Sequence, residues 1–279
     1  DMMEKHDMDA IIMFKGENIR YTCSVFQGNW KNNIFIRYAV LCRGAETPVL
    51  FETAGSDFEC ARIDAPWLKG NIRPAITWKW SETAEQMMVN RMVDSVIDVL
   101  KEGGVDLGGR IGIDIMDFQA YSAFTEKGVN LVNAWPAMSE ARVIKTPEEI
   151  ECLKISSAIG DTCMWKIRHE WLKPGIRECD LTAWVNNLLY EEGFDFVYDI
   201  IVASGGNTSP YRRWHTDKMI RDGDLVIVDI NAIGPGGYFV DYVRCFKCGG
   251  DWTKTEKALY REVYDSMYAG LENLKPGKT

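Results

Sequence analysis

Gly223-Asp224-Leu225-Val226-Ile227-Val228-Asp229-Ile230-Asn231-Ala232-Ile233-Gly234-Pro235-Gly236-Gly237-Tyr238-Phe239-Val240-Asp241-Tyr242-Val243-Arg244 reads as strand, Gly/Pro loop and strand, which predicts an antiparallel hairpin. Asp229 and Asp241 each stand six residues from Pro235. A turn centred on that proline makes them face each other across the two strands, with Cβ atoms roughly 5 Å apart. Asn231 falls on the same face, two residues along. Two aspartates among Val, Ile and Phe are a costly arrangement, because like charges repel and burial disfavours ionisation. They can share a proton, pair with a base or bind a divalent cation; otherwise they sit solvated near a sheet edge. Arg244, three residues past Asp241, points to the opposite face and is a poor partner. Carboxylates so placed suit a bridged cation, and two oxygen-ligated metals about 3.5–4 Å apart activate water well.

On the amino-terminal side of the hairpin, Asp199–Ala203 is a further strand-like run, and two helices precede it. Thr146-Pro147-Glu148-Glu149 opens the first with an N-cap, a proline at the first helical position and a capping-box glutamate. Leu172-Lys173-Pro174-Gly175 stops it, and the second spans Asp180 to Glu192. Beyond the hairpin, Thr253-Lys254-Thr255-Glu256 is another capping box, and its helix ends at Leu274-Lys275-Pro276-Gly277, 102 residues after the matching tetrapeptide. The repetition suggests an internally duplicated fold whose second copy breaks off at Thr279.

Residues 1–140 read as a separate α/β domain, with residues 141–279 forming a second region. Apolar runs at Asp9–Phe14, Ile34–Cys42, Pro48–Phe51 and Arg110–Asp114 predict strands, and Gly16-Glu17-Asn18 reads as a turn. The spacing of apolar residues over Met87–Lys101 predicts a helix, and Tyr121–Lys127 a shorter one. Trp30, in a polar loop, could line a pocket or be an ordinary half-buried loop tryptophan.

The 279 residues are 46% apolar and 26% charged, an ordinary globular composition. A net charge of −9 speaks against a nucleic-acid footprint, which needs a clustered basic face. No apolar run approaches the eighteen or so residues of a membrane span. No signal peptide is read at Asp1–Asp7, and a start on Asp rather than Met is expected to lack the natural beginning. The eight widely spaced cysteines suggest reduced thiols of a cytoplasmic protein. Cys245-Phe246-Lys247-Cys248 lacks a second pair or a histidine at zinc spacing, so two thiols at a strand end is the simpler reading.

The glycine–aspartate turn, the apolar strand carrying Asp229, Gly237-Tyr238 and Asp241-Tyr242-Val243-Arg244 together resemble the pita-bread metallopeptidase family of methionine aminopeptidase, aminopeptidase P, prolidase and creatinase. Met8–Ile12 and Glu17–Tyr21 are similar to the start of the creatinase/prolidase amino-terminal domain. The resemblance implies an α/β creatinase-like domain followed by the first half of an α+β pita-bread catalytic domain. It places Asp229 and Asp241 as two of five metal ligands, the remaining His and two Glu belonging to a second repeat past Thr279. It places His215 near a histidine that contacts substrate or intermediate, with Asn231 and Trp30 as pocket positions. The implied enzyme is a cytoplasmic homodimer holding a divalent metal, two ions of Mn, Zn, Co or Fe. Its implied action is hydrolysis of a peptide-like C–N bond in a small molecule or short peptide, in the manner of Xaa-Pro peptidases. The twelve-residue step between the aspartates also resembles dimethylsulfoniopropionate lyase, whose extra aspartate is Asn231 here. A metal-dependent lyase on the same fold and a non-catalytic binding protein are therefore the alternatives.

Overall fold

In the computed structural model the chain divides into two compact units, Asp1–Lys145 and Thr146–Thr279. The structure describes residues 2–26, 35–79 and 85–278, so Trp30 lies outside the described residues.

The first unit is a mixed sheet flanked by helices. In chain order its elements are α1 (Met2–Lys5), β1 (Ala10–Met13), α2 (Gly16–Cys23), β2 (Tyr38–Cys42), β3 (Val49–Glu52), α3 (Ser56–Asp64), β4 (Ile72–Pro74), α4 (Glu85–Glu102), β5 (Ile111–Ile113), α5 (Phe118–Glu126), β6 (Leu131–Asn133) and α6 (Trp135–Ala141). The strands lie in the order β4-β3-β2-β1-β5-β6. Every residue of β1 is buried, as a strand with neighbours on both edges and cores on both faces requires. One core gathers Trp78 and the Val89, Met92, Val96 and Leu100 stripe of α4. The other gathers Met13, Ile19, Leu50 and Leu68. The turn expected at Gly16-Glu17-Asn18 is instead the first turn of α2. Ile19 and Cys23 are buried there at helical spacing, and Asn18 donates to Asp114 at 2.9 Å. The unit runs past residue 140 to Lys145, with the Tyr21 hydroxyl donating to Ala141 O at 3.0 Å and Arg142 donating to Asn18 Oδ1 at 2.5 Å.

The second unit comprises α7 (Pro147–Lys166), a π-helical extension over Ile167–Trp171, α8 (Glu178–Glu191), β7 (Phe196–Ser204), β8 (Leu225–Ile233), β9 (Phe239–Lys247) and α9 (Lys254–Glu272). Both capping boxes form, at Thr146/Glu149 and at Thr253/Glu256. The strands make an antiparallel sheet in the order β7-β8-β9.

Alternation along β8 organises this sheet. Val226, Val228, Ile230 and Ala232 are fully buried, in one core with Leu181, Val185 and Leu189 of α8 and with Cys163 and Met164 of α7. Leu225, Ile227, Asp229 and Asn231 are only half-buried, because side chains alternate faces. Ile230→Ala should therefore cost about 2–5 kcal/mol, and Ile227→Ala, on the face away from the core, less than about half of that. Urea denaturation of the two variants, followed on β8 by hydrogen exchange, checks the ordering.

Candidate functional site

The hairpin forms, but its centre is not Pro235. Asn231 pairs with Asp241, Asp229 pairs with Val243, and the last pair is Ile233 with Phe239. The midpoint is thus Gly236, where Gly236 and Gly237 take φ of +75° and +88°, a left-handed conformation that favours glycine. The direct Asp229–Asp241 opposition expected from a turn centred on Pro235 is corrected to a diagonal one. Both carboxylates still share the face turned away from the core, since directly paired residues point the same way. Arg244 pairs with buried Val228 and so projects from the opposite face, where it lies over the Tyr242 ring at 5.1 Å.

Asn231 is the hub of this face. It is paired with Asp241 on one side and Asp199 of β7 on the other, and its amide donates to Asp229 Oδ1 at 2.9 Å. The Tyr211 hydroxyl donates to Asp229 Oδ2 at 3.2 Å. Burial pushes the Asp229 carboxyl above the usual range; the charges of Asp241 and Asp199 push the same way, and the Tyr211 and Asn231 hydrogen bonds only partly offset them. The Tyr211 phenol is pushed up to about 12, by burial first and then by the charge of Asp229. Among the described residues no group of three or more His, Cys, Asp or Glu could hold a metal ion. The donor chemistry nevertheless fits a divalent cation as a partial set. Two carboxylates share one face, and a positive charge there would counter the burial and the like charges that raise Asp229.

Tyr211 and His215 both ride on the segment from Gly205 to Thr216, which follows β7. His215 is exposed; the contact that reaches the carboxylates is made by Tyr211. The segment is held by Glu178, the first residue of α8, whose side chain is fully buried. Glu178 Oε1 accepts from Ser204 N and Oγ, both at 2.7 Å, and from Asn207 Nδ2 at 3.0 Å. Its Oε2 accepts from Thr216 N at 2.9 Å and Thr216 Oγ1 at 2.6 Å. Lys218 extends the network, donating to Ser204 Oγ at 2.8 Å and Asp224 Oδ2 at 2.7 Å. Gly205 at φ +51° leaves room for Asp224, whose Oδ1 would lie 2.6 Å from an added Cβ. Sequence reasoning missed Glu178, Tyr211 and Asp199. Asp199 alone had a signal, its place in a strand run that could be registered against Asn231.

Burial raises the Glu178 carboxyl, but the donors from Thr216, Ser204 and Asn207 outweigh it and leave it below the usual range. Burial likewise raises Asp224, and the hydrogen bonds from Lys218 and the Arg221 amide bring it below the usual range. Carboxyls lowered in the fold stabilise it fully above their unfolded values, here 4.5 and 3.8, and that stability is lost as pH falls through the folded values. The melting temperature of the second unit should fall progressively as pH drops below about 4.5 and through the lowered folded values of these carboxyls. Asp224→Asn should flatten that acid limb relative to the native chain, a difference that a pH series of thermal melts would show.

Residues 151–279 match the model of metallopeptidase family M24. The chain is 28% identical over 193 residues to the uncharacterized peptidase YqhT of Bacillus subtilis, covering 67% of this chain and 53% of that one. It is 28% identical over 286 residues to the Xaa-Pro dipeptidase of Rattus norvegicus, covering 96% of this chain and 57% of that one. The chain thus spans little more than half the length of these curated relatives. Among solved structures it is similar to the prolidase of Pyrococcus horikoshii OT3, with TM-score 0.74 and 20% identity over 99% of this chain and 70% of that one. It is also similar to the Xaa-Pro dipeptidase of Bacillus anthracis, with TM-score 0.73 and 20% identity over 94% and 66%. These likenesses show the prolidase/aminopeptidase P fold.

Proposed function

We propose that the chain is part of a metal-dependent hydrolase of Xaa-Pro peptidase type, acting on short peptides, a reading supported by the match of residues 151–279 to the model of metallopeptidase family M24. The observation that carries this reading is the pair Asp229 and Asp241, on one face of the hairpin inside the matched region. In this reading residues 1–145 are a creatinase/prolidase-type amino-terminal domain. The mixed sheet and the likeness of nearly the whole chain to a prolidase support that assignment.

Asp229 and Asp241 would hold a divalent ion, and further donors complete its sphere, since such ions take about four to six ligands. Bound there, the ion supplies Lewis acidity toward a carbonyl and an activated water. The chain's own groups prepare that chemistry. Asn231 and Tyr211 each occupy one oxygen of Asp229, fixing its rotation and leaving the remaining lone pairs free to ligate, as outer partners of metal carboxylates do. His215, exposed on the same segment as Tyr211, is the group proposed to meet the substrate carbonyl or its tetrahedral intermediate. The extra aspartate of the lyase that the hairpin resembles is Asn231 here, which favours the peptidase over the lyase.

The test, made on the whole protein of which this chain is proposed to be part, is uptake of Mn²⁺ after chelator stripping together with turnover of Xaa-Pro dipeptides and of dimethylsulfoniopropionate. Asp229→Asn and Asp241→Asn should each weaken Mn²⁺ binding by about a hundredfold or more, above the loss usual for outer partners. Dipeptide cleavage that requires the metal supports the reading. Cleavage of dimethylsulfoniopropionate alone, or metal uptake indifferent to both substitutions, overturns it.

A further inference from the structure

We propose that Glu178 is a positioning residue: its buried carboxylate grips both ends of the segment 205–216 and thereby sets the Tyr211 hydroxyl on Asp229. The segment Gly-Gly-Asn-Thr-Ser-Pro-Tyr-Arg-Arg-Trp-His-Thr contains no aliphatic residue beyond its proline, so apolar burial does little to hold it. Hydrogen bonds must do so. Glu178 supplies them at both ends at once, with Oε1 on Ser204 and Asn207 and Oε2 on Thr216. The grip is itself fixed, because α8 continues from Glu178 into buried Leu181, Val185 and Leu189. Position therefore passes from the packed helix to the carboxylate, from the carboxylate to the two ends of the segment, and from the segment to Tyr211 and Asp229.

The chemistry of the grip makes a sharp variant available. Ser204 N–H and Thr216 N–H are fixed donors, one on each oxygen. A glutamine amide of the same shape can accept from only one of them and must turn its own N–H₂ against the other. Glu178→Gln thus releases one end of the segment while changing almost no volume. The other backbone tie at the Thr216 end, from Cys179 N–H to Thr216 O at 3.0 Å, remains in the variant and keeps the release local.

The proposal rests on the metal-site reading only for one of its readouts. In the full chain, Glu178→Gln should raise amide exchange across 205–216 about tenfold or more, the loss expected for hydrogen bonds to a charged group, with β8 and α8 unchanged. In a crystal structure of that variant, Tyr211 Oη should lie beyond hydrogen-bond distance of Asp229. The same variant should weaken Mn²⁺ binding by about tenfold, and Tyr211→Phe should do the same. The double variant should be no weaker than the worse single one, because both act through one contact. Unchanged exchange, Tyr211 still on Asp229, or losses of Mn²⁺ affinity that add in full would each overturn the proposal. If the whole protein of which this chain is proposed to be part takes up no Mn²⁺, the metal reading fails, and the exchange and the position of Tyr211 decide the proposal alone. If the Gln variant does not fold, Thr216→Val, which keeps the N–H donor and removes Oγ1, should show the same exchange and displacement on a smaller scale; no change in it overturns the proposal.

Discussion

The alternation of β8 is the constraint on which the second unit depends. Val226, Val228, Ile230 and Ala232 are driven against α7 and α8, and the three larger of them each gain roughly 1.5–3 kcal/mol by full burial. A slip of one residue would expose all four and bury Asp229 and Asn231 in their place, since side-chain period is two. The hydrophobic core therefore sets the polar face: Asp229 sits on the open side because its neighbours cannot. The energy that fixes the carboxylates in space is spent on the other side of the sheet.

The register adds a second restraint, on charge. With Gly236 at the midpoint, Asp241 stands opposite neutral Asn231 rather than opposite Asp229, so the two charges are diagonal neighbours. Diagonal neighbours on a sheet lie roughly 7–8 Å apart, their Cβ atoms somewhat closer, against roughly 5 Å for direct partners, which eases their repulsion without dispersing them. Asp199 flanks the same asparagine from β7. An acid at position 231 would place a charge between three others, whereas the amide donates a hydrogen bond to one of them. The face keeps enough negative charge to attract a cation, while the asparagine limits the repulsion within it.

Local pattern made much of this legible. The hairpin strands, both capping boxes, α4 and the shared face of the aspartates follow from alternation, helical spacing and N-cap chemistry within a few residues. The turn centre did not, because Pro235 draws attention while the positive φ values at Gly236 and Gly237 fix the register. Nor did α2, whose opening glycine and asparagine mimic a turn until Ile19 and Cys23 are seen to be buried. The short α3 buries only Ala61, so it has no apolar stripe to read. Glu178 was hidden for a different reason. Its partners lie 26 to 38 residues away, and an exposed helix-start glutamate has the same local sequence as a buried one. Tyr211 reaches Asp229 across 18 residues, a distance that only the folded segment closes.

That a charge is buried under the segment 205–216, rather than an apolar side chain, follows from what the segment is made of. Leucine at 178 would pack well and leave Ser204 N–H and Thr216 N–H without acceptors, each at a cost of about 1–3 kcal/mol. A carboxylate satisfies both, and Lys218 extends the network by donating to Ser204 Oγ. Such a network tolerates few arrangements: removing one partner strands a buried charge or donor, so intermediate positions of the segment are unfavourable. An apolar contact would allow the segment to slide, because dispersion is not directional. Directional bonds at two ends define where Tyr211 lies, and a carboxylate aimed at a cation needs that definition more than it needs added stability.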